Sequence, residues 1–302
     1  MSDPYLLRRR NLVHLEDVYQ VYAGRTVLDN VDLSIGKGEF VSVVGPSGGG
    51  KSTLLRIILG EERPTSGTVF ICGEPALFPD RRRGIVYQNG LLYPHLTVLE
   101  NVLLGLKLDH WFWQYWKRHK EFVVKAEYYL ELVGLSNDRQ KYPHELSGGM
   151  RQRAAIAQAL IMEPEILLMD EPFGALDPST REDLQIHMLE IHDRFKMTVL
   201  FVTHDLEEAV YLGTRIVVVS PYYTDDRGDG EKVHRGARIV WDTPVTGNEN
   251  ATATIVKDSP VFRRMINDIK EHGFNPTHRD HVKAFNLTHP DSFQTLTPEE
   301  ST

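Results

Sequence analysis

Short runs of aliphatic and β-branched residues alternate along the chain with longer amphipathic stretches. Four of these runs are apolar at nearly every position, as expected of strands that are covered on both faces of a sheet. They occupy residues 39–44, 166–170, 198–203 and 215–220. Because helix-length stretches separate them, the pattern predicts an α/β fold with a mostly parallel core sheet.

Helical periodicity is clearest after Pro178, where apolar residues recur at spacings of four, three and four. The positions concerned are Leu184, Met188, Ile191 and Phe195. They would form one buried stripe along a helix. Between about residues 89 and 164 the chain has helical patterning and no comparable strand, so we expect an inserted α-helical subdomain there. Residues 11–39 alternate in polarity and turn often, which predicts an antiparallel β subdomain.

The end of the chain is predicted to be less regular. Within residues 246–302 we expect a C-terminal helix at about residues 260–271. From about Asn275 the sequence is polar and rich in threonine and proline, so we expect a poorly ordered tail.

Composition narrows the class of protein. The chain has 302 residues, of which 41% are hydrophobic and 25% are charged, as is ordinary for a soluble globular protein. Its formal net charge of -8 argues against nucleic acid as a partner, because nonspecific binding to nucleic acid needs a basic surface. The single cysteine, Cys72, cannot form an internal disulfide, which suits a reducing compartment.

The sequence shows no targeting or membrane-spanning segment. Arg8, Arg9 and Arg10 precede a polar stretch instead of the apolar core of a signal peptide. The longest apolar runs are strand-sized and fall short of the roughly 18–20 residues that a spanning helix needs. If the protein works at a membrane, another chain must do the spanning.

A glycine-rich string opens a helix directly after the predicted strand at 39–44. It reads Gly45-Pro46-Ser47-Gly48-Gly49-Gly50-Lys51-Ser52-Thr53 and matches G-x-x-x-x-G-K-[ST]. Glycines allow consecutive backbone N–H groups to converge on phosphate oxygens, and the helix N-terminus adds partial positive charge. Lys51 would place its charge on the β- and γ-phosphates, and the Ser52 hydroxyl would bind Mg²⁺. The alternative is a glycine-rich turn that only caps a helix.

Two acids end the buried strand at 166–170. A carboxylate at this point lies beside the first strand–helix loop of such a sheet, so Asp170 is predicted to hold Mg²⁺. Glu171 is predicted to orient and deprotonate an attacking water. The alternative is that both acids are solvated or cap the following turn.

A third string makes the resemblance to a known family specific. It reads Leu146-Ser147-Gly148-Gly149-Met150-Arg151-Gln152-Arg153 and resembles the signature of ABC-type ATPases. Ser147 can cap a helix whose first turn, with Gly148 and Gly149, leaves backbone N–H groups bare for an anion. Without the resemblance, the string could be only a loop and a helix cap.

The resemblance assigns roles to four further residues. Gln88 corresponds to the loop glutamine that contacts Mg²⁺ and senses a transmembrane partner, and Asp177 to the loop that crosses a dimer interface. His204 corresponds to the histidine that contacts the γ-phosphate, and Tyr22 to the ring that stacks on adenine. Structural alternatives remain: Asp177 could only cap a helix, His204 could be structural, and Tyr22 could lie in the core.

The resemblance covers roughly residues 11–245 and implies a P-loop NTPase fold. It also implies a head-to-tail dimer of two ATPase subunits, with identical chains as the simplest case. Each ATP would then lie between Lys51 of one subunit and Ser147, Gly148, Gly149 and Asp177 of the other. Glu171, Lys51 and His204 would carry catalysis, with Ser52, Gln88 and Asp170 around Mg²⁺.

Further strings resemble the nitrate, sulfonate and taurine branch of importer ATPases. They span residues 97–102, 203–210 and 258–262. This branch implies a peripheral subunit on the cytoplasmic face of the membrane that works with an integral permease and, indirectly, with a solute-binding protein. The implied solute is a small molecule such as nitrate, a sulfonate or taurine. Alternatives are an ATPase for lipid transport or for soluble assembly or repair, and a regulatory module without turnover.

Two features lie outside the shared motifs, one in the predicted helical subdomain and one near the end of the chain. Residues 110–116 hold three of the four tryptophans, Trp111, Trp113 and Trp116. This cluster could dock the permease or contact the bilayer, or it could form the aromatic core of the helical subdomain. The histidines near the end of the chain show no tight ligand spacing, so the sequence predicts no metal site there.

Overall fold

The fold is described from a computed structural model, which covers residues 10–227, 235–245 and 259–296. The chain divides into two units. The first comprises Met1–Pro79 and Leu200–Thr302, and the second comprises Asp80–Val199.

An antiparallel sheet opens the first unit, as the alternating pattern predicts. Its four strands lie in the order β2-β1-β4-β5. They are β1 (Val13–Tyr22), β2 (Arg25–Ile35), β4 (Ser66–Ile71) and β5 (Glu74–Pro75). Val13, Leu15 and Val18 of β1 are fully buried, so the apolar side of the strand faces the core of this unit.

The other sheet of the first unit contains the predicted parallel strands. Its strands follow the order β13-β11-β9-β3 and then the part of β8 that belongs to this unit. They are β3 (Phe40–Val44), β8 (Thr198–Val202), β9 (Arg215–Ser220), β11 (Arg238–Pro244) and β13 (Asn286–Leu287). β3 and β9 run parallel, with Val43 opposite Val217, and every residue of both strands is buried. These boundaries agree with the predicted strands to within a residue.

Helices and short strands complete the first unit. The helices are α1 (Lys51–Leu59), α6 (Leu206–Leu212) and α7 (Pro260–Ile269), followed by a π turn (Lys270–Phe274) and a 3₁₀ turn (Val282–Ala284). A parallel pair is formed by β10 (Tyr223–Thr224) and β12 (Asp280–His281).

The expectation of a poorly ordered tail is wrong for residues 275–296. Thr295 donates from its backbone N–H and its hydroxyl to Asp32 Oδ2, at 2.6 Å in both cases. Asn30 Nδ2 donates to the Thr295 carbonyl at 2.9 Å, and Phe293 stacks on His14 with the ring centroids 5.0 Å apart. Burial raises the pKa of Asp32 to about 6, so the Thr295 donors compensate a carboxyl that has lost water. The polar composition that suggested disorder instead provides hydrogen-bond partners for β1 and β2.

The second unit contains one strand pair and a set of helices. β6 (Arg83–Val86) and β7 (Ile166–Asp170) run parallel. The helices are α2 (Val98–Asp109), α3 (Phe112–Leu132), α4 (Gly148–Leu160) and α5 (Pro178–Phe195), with 3₁₀ turns at Ser136–Asp138 and Pro143–Glu145. All elements between β6 and β7 are helical, as the patterning of residues 89–164 predicts.

The predicted stripe on α5 is correct at three of its four positions. Leu184, Met188 and Ile191 are buried, whereas Phe195 is 38% exposed. Phe195 is the last helical residue, and Lys196 turns the chain into the left-handed region directly after it. The final member of a periodic series therefore leaves the core where the helix ends.

The tryptophan cluster does not form the core of the helical subdomain. Trp111, Phe112, Trp113 and Trp116 are 82%, 63%, 79% and 59% exposed. Tyr115 is the buried residue of the segment, at 7%. The first turns of α3 therefore present four large apolar side chains to the surface of this unit, which we call the aromatic surface. Within the described ranges no helix is both long and apolar enough to cross a bilayer.

A buried arginine joins three segments of the first unit. Arg215 is 1% exposed, and its guanidinium donates in a bidentate manner to Asp242 at 2.7 and 2.6 Å. Its Nη1 also donates to the Ser34 carbonyl at 2.8 Å and to Glu39 at 3.0 Å. Asp242 additionally accepts from Ser292 of the C-terminal segment. The guanidinium thus compensates two carboxylates that have little access to water.

We expect Arg215→Met to destabilise the protein by about 3–5 kcal/mol, because it leaves Asp242 and Glu39 without their cation. Denaturant unfolding of the full chain measures this loss. Arg118→Met is the matched control, since Arg118 pairs with Glu121 on an exposed helix face and both side chains are about half exposed. Equal unfolding midpoints for the two variants would contradict the role assigned to Arg215.

Candidate functional site

The loop between β3 and α1 forms a cradle of backbone N–H groups. Gly45 runs so close to β9 that a Cβ there would lie 2.0 Å from the Val219 carbonyl oxygen. Gly50 is the N-cap of α1 with φ +80°, and no side chain caps the helix. The start of α1 therefore carries no side-chain cap, and such a helix N-terminus suits an anion.

Lys51 and Ser52 lie where the sequence places them in this cradle. Lys51 is 8% exposed, and its Nζ donates to the carbonyl oxygens of Gly45 and Pro46 at 2.8 and 3.0 Å. The ammonium group is thus held over the loop. Ser52 is exposed on the first turn of α1, whereas Thr53 is buried. A cationic side chain, a helix N-terminus without a side-chain cap and an exposed hydroxyl fit a bound phosphate chain.

A cavity of about 280 Å³ adjoins the cradle. Pro46, Ser47, Gly48 and Gly49 line it from the loop, and Arg25 and Arg235 are also in its wall. Sequence reasoning missed these two arginines, because no motif marks them. Tyr22 lies at the end of β1, is 37% exposed and donates its hydroxyl to Glu62. The core alternative for Tyr22 is therefore wrong, although Tyr22 is not among the residues that line the cavity.

His204 is exposed at the end of β8 and is held by its neighbours in the chain. The Thr203 hydroxyl donates to Glu208 at 2.9 Å and accepts from the Asp205 N–H at 3.1 Å. Asp205 caps α6 by accepting from the N–H groups of residues 207 and 208. Thr203, Asp205 and Glu208 therefore fix the turn that presents His204. Their fixed spacing in the sequence was the signal that could have identified them.

In the second unit, Asp170 and Glu171 end β7 as predicted. Glu171 has φ +46°, a left-handed conformation that is uncommon for a residue with a side chain. A Cβ placed on Gly174 would lie 3.4 Å from Gln88 Nε2 and 3.9 Å from Glu171 Oε2. The amide of Gln88 and the carboxylate of Glu171 thus approach the same glycine. The Gln88 side chain therefore lies close to the residue predicted as the base.

The loop that carries Gln88 is anchored by two buried amides. Gln152 Nε2 donates to the Tyr87 carbonyl at 3.2 Å, which ties the loop to α4. Asn101 is fully buried; its Oδ1 accepts from the Tyr93 N–H at 2.7 Å, and its Nδ2 donates to carbonyls including Leu96 at 3.0 Å. These contacts give structural roles to Gln152 in the string at 146–153 and to Asn101 in the string at 97–102.

The start of α4 forms the second predicted anion site. Ser147 caps the helix by accepting from the Met150 N–H at 3.2 Å, and both Ser147 and Gly148 are exposed. A Cβ on Gly149 would lie 2.2 Å from Thr180 Cγ2 of α5. Asp177 is exposed and caps α5 by accepting from the Thr180 N–H at 3.0 Å, which holds the pKa of Asp177 below its usual range. The signature and the Asp177 loop are therefore neighbours within this unit.

The predicted site residues are shared between the two units. The first unit holds the cradle, Tyr22 and His204, and the second holds the metal and signature residues. The members in the second unit are Gln88, Ser147, Gly148, Gly149, Asp170, Glu171 and Asp177.

A glycine-lined cradle between a buried parallel strand and an uncapped helix defines a P-loop nucleotide-binding ATPase. Comparison with known proteins makes the class more specific. The family model described as "ABC transporter" matches residues 28–174. The chain belongs to the ABC transporter family, as one of its ATP-binding and ATP-hydrolysing subunits.

Individual relatives agree with this assignment. The nitrate import ATP-binding protein NrtD of Synechocystis sp. is 46% identical over 214 residues, covering 69% of this chain and 78% of that protein. The aliphatic sulfonates import ATP-binding protein SsuB of Bacillus cereus is 43% identical over 212 residues, covering 69% and 81%. The dimeric post-hydrolysis structure of the ATP-binding cassette MJ0796 with ADP and Pi matches with a TM-score of 0.62 and 33% identity, covering 78% of this chain and 99% of that one. The resemblance to the nitrate and sulfonate branch is thereby confirmed.

We expect Gly149→Ala to destabilise the protein by about 1–3 kcal/mol, because the added methyl group overlaps Thr180 Cγ2. Helix propensity alone would predict that the variant is more stable than the wild type, since alanine favours a helix over glycine by about 1 kcal/mol. Denaturant unfolding measures the change.

Two further variants serve as controls. Gly148→Ala should not destabilise, because its Cβ would meet Leu176 at an ordinary 3.6 Å. Thr180→Ser removes the overlapping methyl group and should restore most of the stability lost in Gly149→Ala. If the double variant is no more stable than the single one, the overlap is not the cause.

Proposed function

We propose that this chain powers the import of a small oxyanion through a separate permease, working as a dimer at the cytoplasmic face of the membrane. The observation that carries the proposal is the presence of two helix N-termini suited to anions, one at Gly50 beside the Lys51 ammonium group and one at the exposed Ser147. The relatives named above import nitrate and aliphatic sulfonates, which are both anionic oxygen compounds. The ATPase does not contact the solute, so its own residues do not select between them.

The predicted site residues would have separate roles in ATP hydrolysis. Lys51 and the N–H groups of α1 bind the phosphates. Ser52, Gln88 and Asp170 offer the oxygen ligands for Mg²⁺, which would neutralise charge on the β- and γ-phosphates. As the water oxygen forms its bond to the γ-phosphorus and the bond to the bridging oxygen breaks, Glu171 takes the proton from the water. His204 stabilises the γ-phosphate.

The second anion site supports assembly as a dimer. The N-terminus of α4 is exposed at Ser147 and Gly148, and Asp177 is exposed beside it. In a head-to-tail pair each α4 would face the γ-phosphate bound by its partner's Lys51. ATP would then close the dimer, and hydrolysis would open it.

The aromatic surface supports docking of the permease. Trp111, Trp113 and Trp116 are exposed together, and large apolar patches on soluble domains mark interaction sites. The same unit has a cavity of about 260 Å³ lined by residues next to the Gln88 loop, among them Tyr87, Leu91 and Met162. A permease segment in this cavity would act directly on the loop that carries Gln88.

We expect Glu171→Gln to lower the rate of ATP hydrolysis by about 10²–10⁴-fold, because the amide cannot accept the proton of the attacking water. ATP binding should persist, since the cradle is unchanged. Phosphate release and equilibrium nucleotide binding measure the two properties. Glu190→Gln, an exposed change on α5, is the matched control and should hydrolyse ATP at the wild-type rate. Equal rates for wild type and Glu171→Gln would remove the catalytic role.

We expect the triple change of Trp111, Trp113 and Trp116 to alanine to abolish capture of a multi-span membrane protein from gently solubilised native membranes. The exposed indoles contribute little to the fold, so the ATP-binding affinity of the triple variant should match the wild type. Affinity purification followed by identification of the bound chains is the measurement. Undiminished capture by the variant would contradict docking through this surface. Binding of the wild type, but not the variant, to lipid vesicles without permease would point to the bilayer instead.

A further inference from the structure

Two histidines and an aspartate meet where the chain turns after α7. His272 lies in the π turn, Asp280 begins β12, and His278 lies in the connection between them. Their ligand atoms all lie within 4.8 Å of one another. The linear spacing of these residues predicted no metal site, and the folding of the connection onto the π turn is what brings them together.

The distances within the cluster suit a tetrahedral ion. His278 Nε2 lies 3.3 Å from Asp280 Oδ1, and His272 Nδ1 lies 2.6 Å from Asp280 Oδ2. Zn²⁺ with ligand bonds of about 2.0–2.1 Å requires ligand atoms roughly 3.3 Å apart. The first pair already has this separation, and the second reaches it by a small rotation of the carboxylate.

The position of Glu271 determines which nitrogen of His278 is available. Glu271 Oε1 lies 3.2 Å from His278 Nδ1, so Nε2 is the ring nitrogen of His278 that faces Asp280. His278 Nε2 is shielded from water and makes no hydrogen bond to any residue that the structure describes. A cation bound by this nitrogen and by the Asp280 carboxylate, 3.3 Å apart, would provide the partner.

We propose that His272 Nδ1, His278 Nε2 and the Asp280 carboxylate bind Zn²⁺, with Glu271 orienting His278 and water completing the coordination. Two imidazole nitrogens favour zinc and similar transition metals, whereas Mg²⁺ prefers oxygen ligands only. The site therefore differs in chemistry from the oxygen donors at the nucleotide site. The side chains of His272, His278 and Asp280 are 30%, 37% and 23% exposed, which leaves a path for the ion.

A second group of possible ligands, Glu39, His289 and Asp291, does not fit a metal. His289 Nδ1 accepts from the Asp291 N–H at 3.2 Å, so Nε2 carries the proton and cannot ligate. The Arg215 guanidinium also lies 3.0 Å from Glu39. A bound cation would face this positive charge, so the group is better explained as a hydrogen-bonded network.

Zinc in the proposed site would fasten the C-terminal segment to its unit. β12 pairs in parallel with β10, with Asp280 opposite Tyr223. The His272 ring packs on Trp241 of β11, with the centroids 5.0 Å apart. The ion would thus join the end of α7 to two strands that precede it in the chain. Trp241 is 8% exposed and lies close enough to report on an ion in the cluster.

The test uses Trp241 as the reporter. Changing Trp111, Trp113 and Trp116 to phenylalanine leaves Trp241 as the only tryptophan of the full-length chain. The protein is freed of metal with a chelator and titrated, without nucleotide, with Co²⁺, a paramagnetic substitute for Zn²⁺. We expect Co²⁺ to quench the fluorescence of Trp241 saturably, at one ion per chain. Zn²⁺ should reverse this quenching, and Mg²⁺ should not.

Variants assign the ligands. His272→Gln with His278→Gln should weaken Zn²⁺ binding by more than about 100-fold, and Glu271→Gln by about 10-fold with unchanged stoichiometry. His281→Gln is the matched control, because His281 lies one residue after Asp280 but contacts Asp226 instead. It should bind Zn²⁺ as the wild type does. Circular dichroism verifies folding, and the single change His278→Gln replaces the double variant if the latter does not fold.

Three results would overturn the proposal. They are the absence of saturable quenching, Zn²⁺ binding that does not reverse the quenching by Co²⁺, and equal affinities of the wild type and the His278→Gln variant. Equal losses in His278→Gln and His281→Gln would also overturn it, since they would indicate nonspecific binding to surface histidines.

Discussion

The nucleotide cradle depends on the start of α1, where Gly50 is the N-cap residue and no side chain caps the helix. The described helices α2, α4, α5, α6 and α7 each begin with a side-chain cap, from Thr97, Ser147, Asp177, Asp205 and Ser259. At α1 the corresponding residue is Gly50, whose Cβ would lie 2.6 Å from Leu28 Cδ2. A side chain that capped this helix end would occupy the position of a phosphate group, so a glycine at the N-cap suits nucleotide binding. The buried strand β3 and the close approach of Gly45 to β9 hold the loop open for it.

The motif residues are positioned by hydrogen bonds from neighbouring residues that have no predicted role in the reaction. His204 is presented by a turn that Thr203 and Glu208 close, and Asp205 caps the helix that follows it. The Gln88 loop is held through Gln152. Each of these contacts lies within a few residues of a motif or in another motif. The motif strings therefore contain both the predicted nucleotide-contacting side chains and hydrogen bonds that orient them.

The sequence predicted the strands well because β3, β7, β8 and β9 are apolar at most positions, which leaves little ambiguity of type or length. It failed where polar residues meet partners far along the chain. The Thr295 bond to Asp32 spans 263 positions, and nothing local to either residue indicates it. It also failed to separate core from surface among the tryptophans, because the same aromatic side chains serve both environments. His272 and His278 come together through a turn that periodicity does not describe.

The C-terminal segment ties these observations to the nucleotide cradle. Within the first unit it contacts β1 and β2 through Thr295 and β11 through Ser292, and Asp242 joins it to Arg215 at the start of β9. β9 is also the strand whose Val219 carbonyl leaves no room for a side chain at Gly45. A metal that fastens this segment would therefore stiffen the strands behind the cradle within this unit.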